Sequence, residues 1–199
     1  MAAIELMTRS DIKQLAVVGK DLEILDWVLY DNLPVLSAGA ATSYRFFQHA
    51  FGNAGVTKEI TNMEIPSQLP AGHRFVMQKI VLGVKEDVPA SDMSVVSVKE
   101  IYKLLARGRS AFSIGSRNYL EVMNTALTGG SLTGFAGGPT EIAYAAPRTV
   151  INGELEYSPV IPSTFGFAVL VEYDIAPVVT TNKMLNCCLV GKLVRPRQG

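Results

Sequence analysis

The stretch MLNCCLVGKLVRP at residues 184–196 decides the fold class of this chain. It is a long run of apolar and β-branched residues, which is typical of a β-strand. A second apolar run, residues 165–173, lies before it, and only ten residues of loop separate the two. Two long strand-like runs so close together predict a closed all-β body.

Further strand patterns occur along the chain. The aromatic-rich run 44–51 ends at a Gly-Asn turn, and residues 73–84 form the clearest core strand, with an interrupted alternation between Met77 and Ile80 that predicts a bulge. Shorter strands are predicted at 57–61, 110–114 and 119–127, and around Asn152–Gly153 within 148–157. The total is about eight strands. The predicted sandwich core comprises Phe75, Met77, Ile80, Leu82, Phe167, Val169, Val171, Cys187, Leu189 and Leu193.

One helix is predicted inside this β region. Residues 97–108 carry apolar side chains on one helical face, Ser97 and Glu100 fit a capping box, and Gly108 fits the C-terminal stop. We expect this inserted helix to cover one end of a sheet.

The first 42 residues differ from the rest. Their apolar residues recur at roughly helical spacing, although residues 21–30 also alternate as a strand would. We therefore divide the chain into an N-terminal, partly helical arm, residues 1–42, and a β-sandwich domain, residues 43–199. The arm either docks on a neighbouring subunit or packs on its own domain. In the first case the predicted subunit-interface residues are Leu25, Trp27, Leu29 and Tyr30.

Composition favours association over nucleic-acid binding. The 199 residues carry no formal net charge, and charged residues are only 18% of the chain. A neutral surface does not repel further copies, and strong direct binding to nucleic acid through bulk charge is disfavoured. No apolar stretch approaches the roughly 20 residues of a transmembrane helix, and no secretory signal is predicted.

Motifs for catalysis or cofactor binding are weak. The glycine-rich loop at 129–138 lacks the Lys and Ser or Thr of a phosphate-binding loop, and His49 and His73 are the only histidines. We therefore predict no catalytic residue, no cofactor and no metal site, although paired carboxylates for glycoside hydrolysis, such as Glu154 and Glu156 on one strand face, stay open. Cys187 and Cys188 are neighbours on one strand, so they should point to opposite faces and stay unbridged.

The order of these pieces resembles a known family. The aromatic strand ending near Gly52, TNM at 61–63, LPAGHRF at 69–75, the inserted helix and GKLVRPRQ at 191–198 are similar to the single jelly-roll coat proteins of tailless icosahedral bacteriophages. The resemblance implies a jelly-roll β-sandwich of eight strands in two facing sheets.

The function that this resemblance implies is structural and not enzymatic. The chain would be a virion protein, a major capsid subunit that is made in the host cytoplasm and self-assembles into an icosahedral shell. Its partners would be other copies of itself and other capsid proteins. The alternatives are a minor capsid or cement protein, or a non-viral β-sandwich carbohydrate-binding module.

Overall fold

Strands make up most of the described chain, which confirms the predicted all-β class. The computed structural model describes residues 6–7, 22–53, 55–86, 95–127 and 158–197. Within them the strands are β1 (Leu6–Met7), β2 (Leu22–Val35), β3 (Ser43–Phe46), β4 (Arg74–Glu86), β5 (Arg109–Ile114), β6 (Arg117–Met123), β7 (Ser158–Pro162), β8 (Phe167–Glu172) and β9 (Lys183–Pro196), and the helices are α1 (Val95–Ala106) and α2 (Asn124–Leu127).

The strands form two antiparallel sheets with a nested pairing. The first sheet has the order β1-β7-β4-β9-β2 and the second has the order β3-β8-β5-β6. Among β2 to β9, the first strand pairs with the last, the second with the last but one, and so on inward to β5 and β6. Successive nested pairs alternate between the two sheets. The pairing is therefore that of one long hairpin rolled into a two-layer body.

The core lies between the two sheets and contains every residue predicted for it. All ten predicted core residues belong to one cluster of buried side chains, which draws on both sheets. Along β9 the residues alternate between buried and half-buried, as expected for a strand with one face on a core. Fully burying one large aliphatic or aromatic side chain stabilises a fold by about 1.5–3 kcal/mol.

Several predicted elements have the expected type. The inserted helix is confirmed as α1, which begins at Val95, and the bulge is confirmed by a register shift between Met77 and Lys79. The two cysteines are unbridged, with Cys187 buried in the core and Cys188 half-buried on the other face. Burial raises the pKa of the Cys187 thiol well above its usual value.

The prediction of an arm over residues 1–42 is wrong for residues 22–35. These residues form β2, which pairs with β9 along its whole length without a register shift. The apolar residues of β2 lie on both faces of the strand, so their spacing imitates a helix although the backbone is extended. Residues 8–21 lie outside the described residues.

Three strand predictions differ in their bounds. β3 ends at Phe46 because Phe47 has a left-handed backbone, with φ of 67°. The predicted strand 57–61 is a turn, and its last residue, Thr61, forms an isolated bridge to Asp31. The predicted strand 119–127 corresponds to β6, which ends at Met123, where α2 follows. β7 was not predicted. The hairpin at 148–157 and the glycine-rich loop lie outside the described residues.

The connections that cross between sheets at one end of the body define a surface that we call the loop end. It comprises residues 36–42, α1, α2 and residues 173–182. The registers place these segments together, since Val35 and Glu86 both pair with Lys183, while Arg109 pairs with both Met123 and Glu172. No helix among the described residues has the length and apolar content needed to cross a membrane.

Candidate assembly surfaces

The polar side chains of the described residues do not gather into a metal-binding cluster. Within those residues, no group of three or more His, Cys, Asp or Glu side chains comes together. His49 is exposed, and His73 Nδ1 lies 3.2 Å from the carbonyl oxygen of Ala71 in a turn. Among the described residues, the two features that distinguish the surface are a sheet edge with no strand beside it and exposed apolar side chains.

The four predicted interface residues all lie on β2, but they are not equally accessible. Trp27 is 41% exposed, and Leu25 and Tyr30 are half-buried. The Tyr30 hydroxyl donates a hydrogen bond to the carbonyl oxygen of Lys58 in the same chain. Leu29 is 4% exposed and belongs to the core, so its assignment to an interface is wrong. Strand alternation explains this, because Leu29 points inward.

β2 is the outermost strand of the first sheet, and one half of its outer edge is covered. Tyr30 N donates to Asn62 Oδ1 and Asn32 N donates to the carbonyl oxygen of Ile60, each at 2.9 Å. Asn62 Nδ2 donates to the carbonyl oxygen of Val28 at 2.7 Å. The segment 58–62 thus takes the place of a neighbouring strand beside residues 28–32.

The other half of β2, residues 22–27, is what we call the open edge. Tyr30 and Asn32 direct their N–H groups outward, and the register is unbroken, so Ile24 and Asp26 direct theirs outward as well. No strand of the described residues lies beyond this edge in the sheet order. Such an edge is a template for pairing with another chain unless something blocks it.

The charged side chains of the open edge are engaged within the chain. Glu23 Oε2 accepts a hydrogen bond of 2.8 Å from Arg195 Nε, and Asp26 Oδ1 lies 2.5 Å from Lys192 Nζ. These pairs neutralise the carboxylates that would otherwise repel an incoming strand. Both carboxylates of the open edge are therefore paired with a cation of β9.

The side chains around the open edge are largely apolar. Leu22, Trp27 and Val28 are each about two-fifths exposed. On the outer face of the sheet, Val28 pairs with Val190, and Tyr30 pairs with Cys188. Leu22 and Val28 belong to this outer face, whereas Trp27 alternates with them and projects on the other side of the strand. Apolar side chains thus flank the open edge on both sides, where a second chain could cover them.

The loop end carries further exposed apolar side chains. These are Leu36, Tyr102, Ile175 and Val178, which are 48%, 43%, 80% and 83% exposed. Met123, the last residue of β6, is 57% exposed and directly precedes α2. The segments that bear the four loop-end side chains are tied together. Ser37 N donates to Asn182 Oδ1 at 3.0 Å, and Thr180 N donates to Glu100 Oε1 at 2.8 Å.

A buried ion pair fixes α1 to the first sheet at the loop end. Lys183 Nζ lies 3.1 Å from Glu100 Oε2, and the two side chains are 0% and 6% exposed. Burial alone would raise the pKa of Glu100, but hydrogen bonds from Thr180 and the charge of Lys183 outweigh it. The pKa of Glu100 therefore lies below its usual value.

A second buried charge, Asp31, lies in the core beneath β2. Its Oδ2 accepts a hydrogen bond from Phe47 N, and its Oδ1 has no hydrogen-bond partner among the described residues. Burial raises the pKa of Asp31 above its ordinary value, and the bond from Phe47 only partly offsets this. The sequence analysis did not single out Asp31. The one signal was a charged residue at a core-facing position of a strand whose other core-facing residues are mostly apolar.

Comparison with known proteins gives no relative for this chain. No protein-family model matches it, and neither a search of curated proteins nor a search of solved structures finds a match.

Proposed function

We propose that this chain is a virion structural protein: a coat subunit with a jelly-roll fold that self-assembles into an icosahedral shell. It would be made in the host cytoplasm and take its place in the capsid, with other copies of itself and other capsid proteins as partners. The observation that carries the proposal is the nested pairing of β2 to β9 across two sheets.

The strand order supports the jelly-roll assignment. A jelly roll is a double sheet of eight strands, and it results when one long hairpin is rolled up so that nested pairs alternate between layers. The orders β7-β4-β9-β2 and β3-β8-β5-β6 have this form. Viral coat proteins, lectins and cupins are the main users of this architecture.

The surface favours the coat among these three classes. A cupin would hold a metal on several closely placed ligands, and the described residues contain no such group. The open edge and the apolar side chains of Leu22, Trp27 and Val28 offer contacts of the kind that bury against another subunit. The zero net charge lets many copies approach one another.

Assembly would proceed through the open edge. A neighbouring chain would pair with the outward N–H and C=O groups of Ile24 and Asp26, and it would cover Trp27 as an aromatic anchor. Backbone pairing would set the register, and the apolar side chains would supply most of the buried area.

A carbohydrate-binding module is the second candidate, and Trp27 is the observation that favours it. A tryptophan that is two-fifths exposed can stack its ring on a sugar. A minor capsid or cement protein would use the same surfaces as a coat subunit. It would differ by failing to close a shell alone.

Negative-stain electron microscopy and light scattering of the purified full-length protein test the proposal. We expect closed shells or regular capsomers. The variant L22S/W27S/V28S should stay folded by circular dichroism and lose these particles. The control is Met123→Ser, which removes one exposed apolar side chain from β6 in the other sheet and should leave the particles intact.

Two outcomes would contradict a coat subunit. A protein that stays monomeric at high concentration, alone and with the other virion proteins, does not form a shell. If that monomer also binds a glycan array and loses the binding in Trp27→Ser, the carbohydrate-binding function replaces the coat function.

A further inference from the structure

The loop end presents two apolar side chains that project into solvent. Ile175 and Val178 are 80% and 83% exposed, more than any other large apolar side chain of the described residues. We call them the apolar tip. Their neighbour Val179 is buried, so the loop is anchored by one side chain while it presents two others. Exposed aliphatic groups on a fixed loop are unfavourable in water, which makes them candidates for docking.

The loop that bears the apolar tip is fastened to α1 on both sides. Tyr173 Oη donates to the carbonyl oxygen of Leu104 at 2.9 Å, and Thr180 N donates to Glu100 Oε1 at 2.8 Å. Leu104 and Glu100 lie about one helical turn, or roughly 5.4 Å, apart along the helix. The longer chain between Tyr173 and Thr180 must therefore arch outward, which places the apolar tip beside α1.

The exposed face of α1 carries a row of cations. Lys99 and Lys103 are exposed and lie one turn apart on α1, and the exposed Arg107 directly follows the helix. Arg107 N still donates to the carbonyl oxygen of Lys103 at 3.1 Å, so the three cations continue one stripe at every fourth position. We call them the basic row. Glu100, the acid of α1, is buried against Lys183 and does not offset this charge at the surface.

The composition of this surface is that of a peripheral membrane contact. We propose that the loop end docks on an anionic lipid bilayer, with the apolar tip entering the acyl boundary and the basic row contacting headgroup phosphates. Interfacial membrane contacts combine exposed aliphatic or aromatic groups with Lys and Arg in this way. Tyr102, 43% exposed on the same helix, suits the headgroup level.

Other occupants fit the same residues less well. Nucleic acid would meet the basic row, but it would leave the apolar tip against phosphates and water, since single strands bind through stacking aromatic groups. A second copy that met this one loop end to loop end would place one basic row against another, which is unfavourable. Asp174 is the one exposed acid of residues 173–182, so the basic row outweighs it within α1 and this loop.

Flotation of the full chain with phospholipid vesicles tests the proposal. One set of vesicles is pure phosphatidylcholine, and the other is phosphatidylcholine with about 30% phosphatidylserine, which is anionic. We expect binding to the anionic vesicles that weakens as salt is added, because headgroup attraction is screened. This measurement does not depend on the coat function, since the vesicles report on the loop end whether or not particles form.

Two variants and one matched control sharpen the test. K99Q/K103Q/R107Q should weaken binding about a hundredfold, because each cation near an anionic surface contributes roughly fivefold. I175S/V178S should abolish stable flotation while the fold is kept. The control R45Q/R117Q/R197Q removes the same charge from exposed positions away from α1 and should bind as the unaltered chain does.

The proposal is overturned if the unaltered chain does not float with anionic vesicles. It is also overturned if the control triple variant loses as much binding as the basic-row variant, since bulk charge would then explain the result. Equal binding of I175S/V178S and the unaltered chain would remove the apolar tip from the contact and contradict the proposal as well.

Discussion

Asp31 Oδ2 accepts a hydrogen bond of 2.5 Å from Phe47 N, and this contact joins the two sheets. Asp31 belongs to β2 in the first sheet, whereas Phe47 directly follows β3 in the second. Phe47 has φ of 67°, a left-handed conformation that is uncommon for a bulky residue, and both residues are fully buried. The carboxylate thus accepts the hydrogen bond of the Phe47 N–H group, which no longer pairs with a neighbouring strand because β3 ends at Phe46.

Replacing Asp31 by Ala should therefore destabilise the fold. The variant leaves Phe47 N–H buried without its acceptor, and a lost buried partner costs about 1–3 kcal/mol. Asp31→Asn keeps an acceptor oxygen and should cost less. Urea unfolding followed by circular dichroism measures both, with Asp174→Ala as the exposed control. If D31A unfolds at the same urea concentration as D174A, the contact does not hold the turn.

The pH dependence of stability should carry a signature of Asp31. Its folded-state pKa lies above the ordinary 3.8, because burial disfavours the charged form. The folded state therefore binds this proton more tightly than the unfolded state does, and the contribution of Asp31 to stability falls as the pH rises above about 3.8 through the folded pKa. The free energy of unfolding of the unaltered chain relative to D31N should decrease with rising pH. A difference that is flat or increases over pH 3–8 would contradict this assignment.

The buried pair of Glu100 and Lys183 should contribute in the opposite direction. The folded pKa of Glu100 is lowered, so its stabilisation is complete above its ordinary pKa and is lost as the pH falls through the folded value. At neutral pH, Glu100→Gln leaves Lys183 without its carboxylate, and breaking a buried pair costs about 3–5 kcal/mol. The double variant E100L/K183M removes both charges and should recover much of that loss. If E100Q and the double variant are equally unstable in urea, the charge pairing is not the cause.

Gly191 allows β9 to lie against the bulge of β4. A Cβ atom at this position would lie 2.1 Å from the carbonyl oxygen of Val76 and 3.0 Å from Phe75 Cζ. Gly191→Ala should therefore cost about 1–3 kcal/mol, the usual range for overpacking. Gly83→Ala is the matched control, since its Cβ would meet only Asn186 Oδ1 at 3.7 Å. Thermal unfolding should separate the two variants, and equal melting temperatures would show that the strands can move apart cheaply.

The sequence predicts those elements whose two faces differ in polarity. β4 and β9 alternate between core and surface, so their residues identify both the strand and the core, and the broken alternation after Met77 marks the bulge. β2 escapes such reasoning because this edge strand carries apolar residues on both of its faces. Leu29 and Val28 are neighbours in sequence, yet one is in the core and the other is two-fifths exposed.

The polar contacts inside the molecule depend on residues far apart in the chain. Asp31 meets Phe47 across the sheets, and Lys183 meets Glu100 only after α2 and the four strands β5 to β8 have been placed. No local pattern marks either pair, because a charge in a strand is normally a surface residue. The same holds for the loop end, where the basic row of α1 and the apolar tip meet only through the fold.

The open edge can be tested without altering a side chain that the core uses. The N–H group of Ile24 points away from β9, so Ile24→Pro removes a donor only from the open edge, where proline is tolerated. We expect the variant to keep its melting temperature within a few degrees and to lose particles in electron microscopy. Leu25→Pro is the contrasting control, because its N–H group faces β9 and its loss should destabilise the sheet itself. Normal particles from I24P would show that the open edge is not the subunit contact, since a strand could not pair across a proline at its centre.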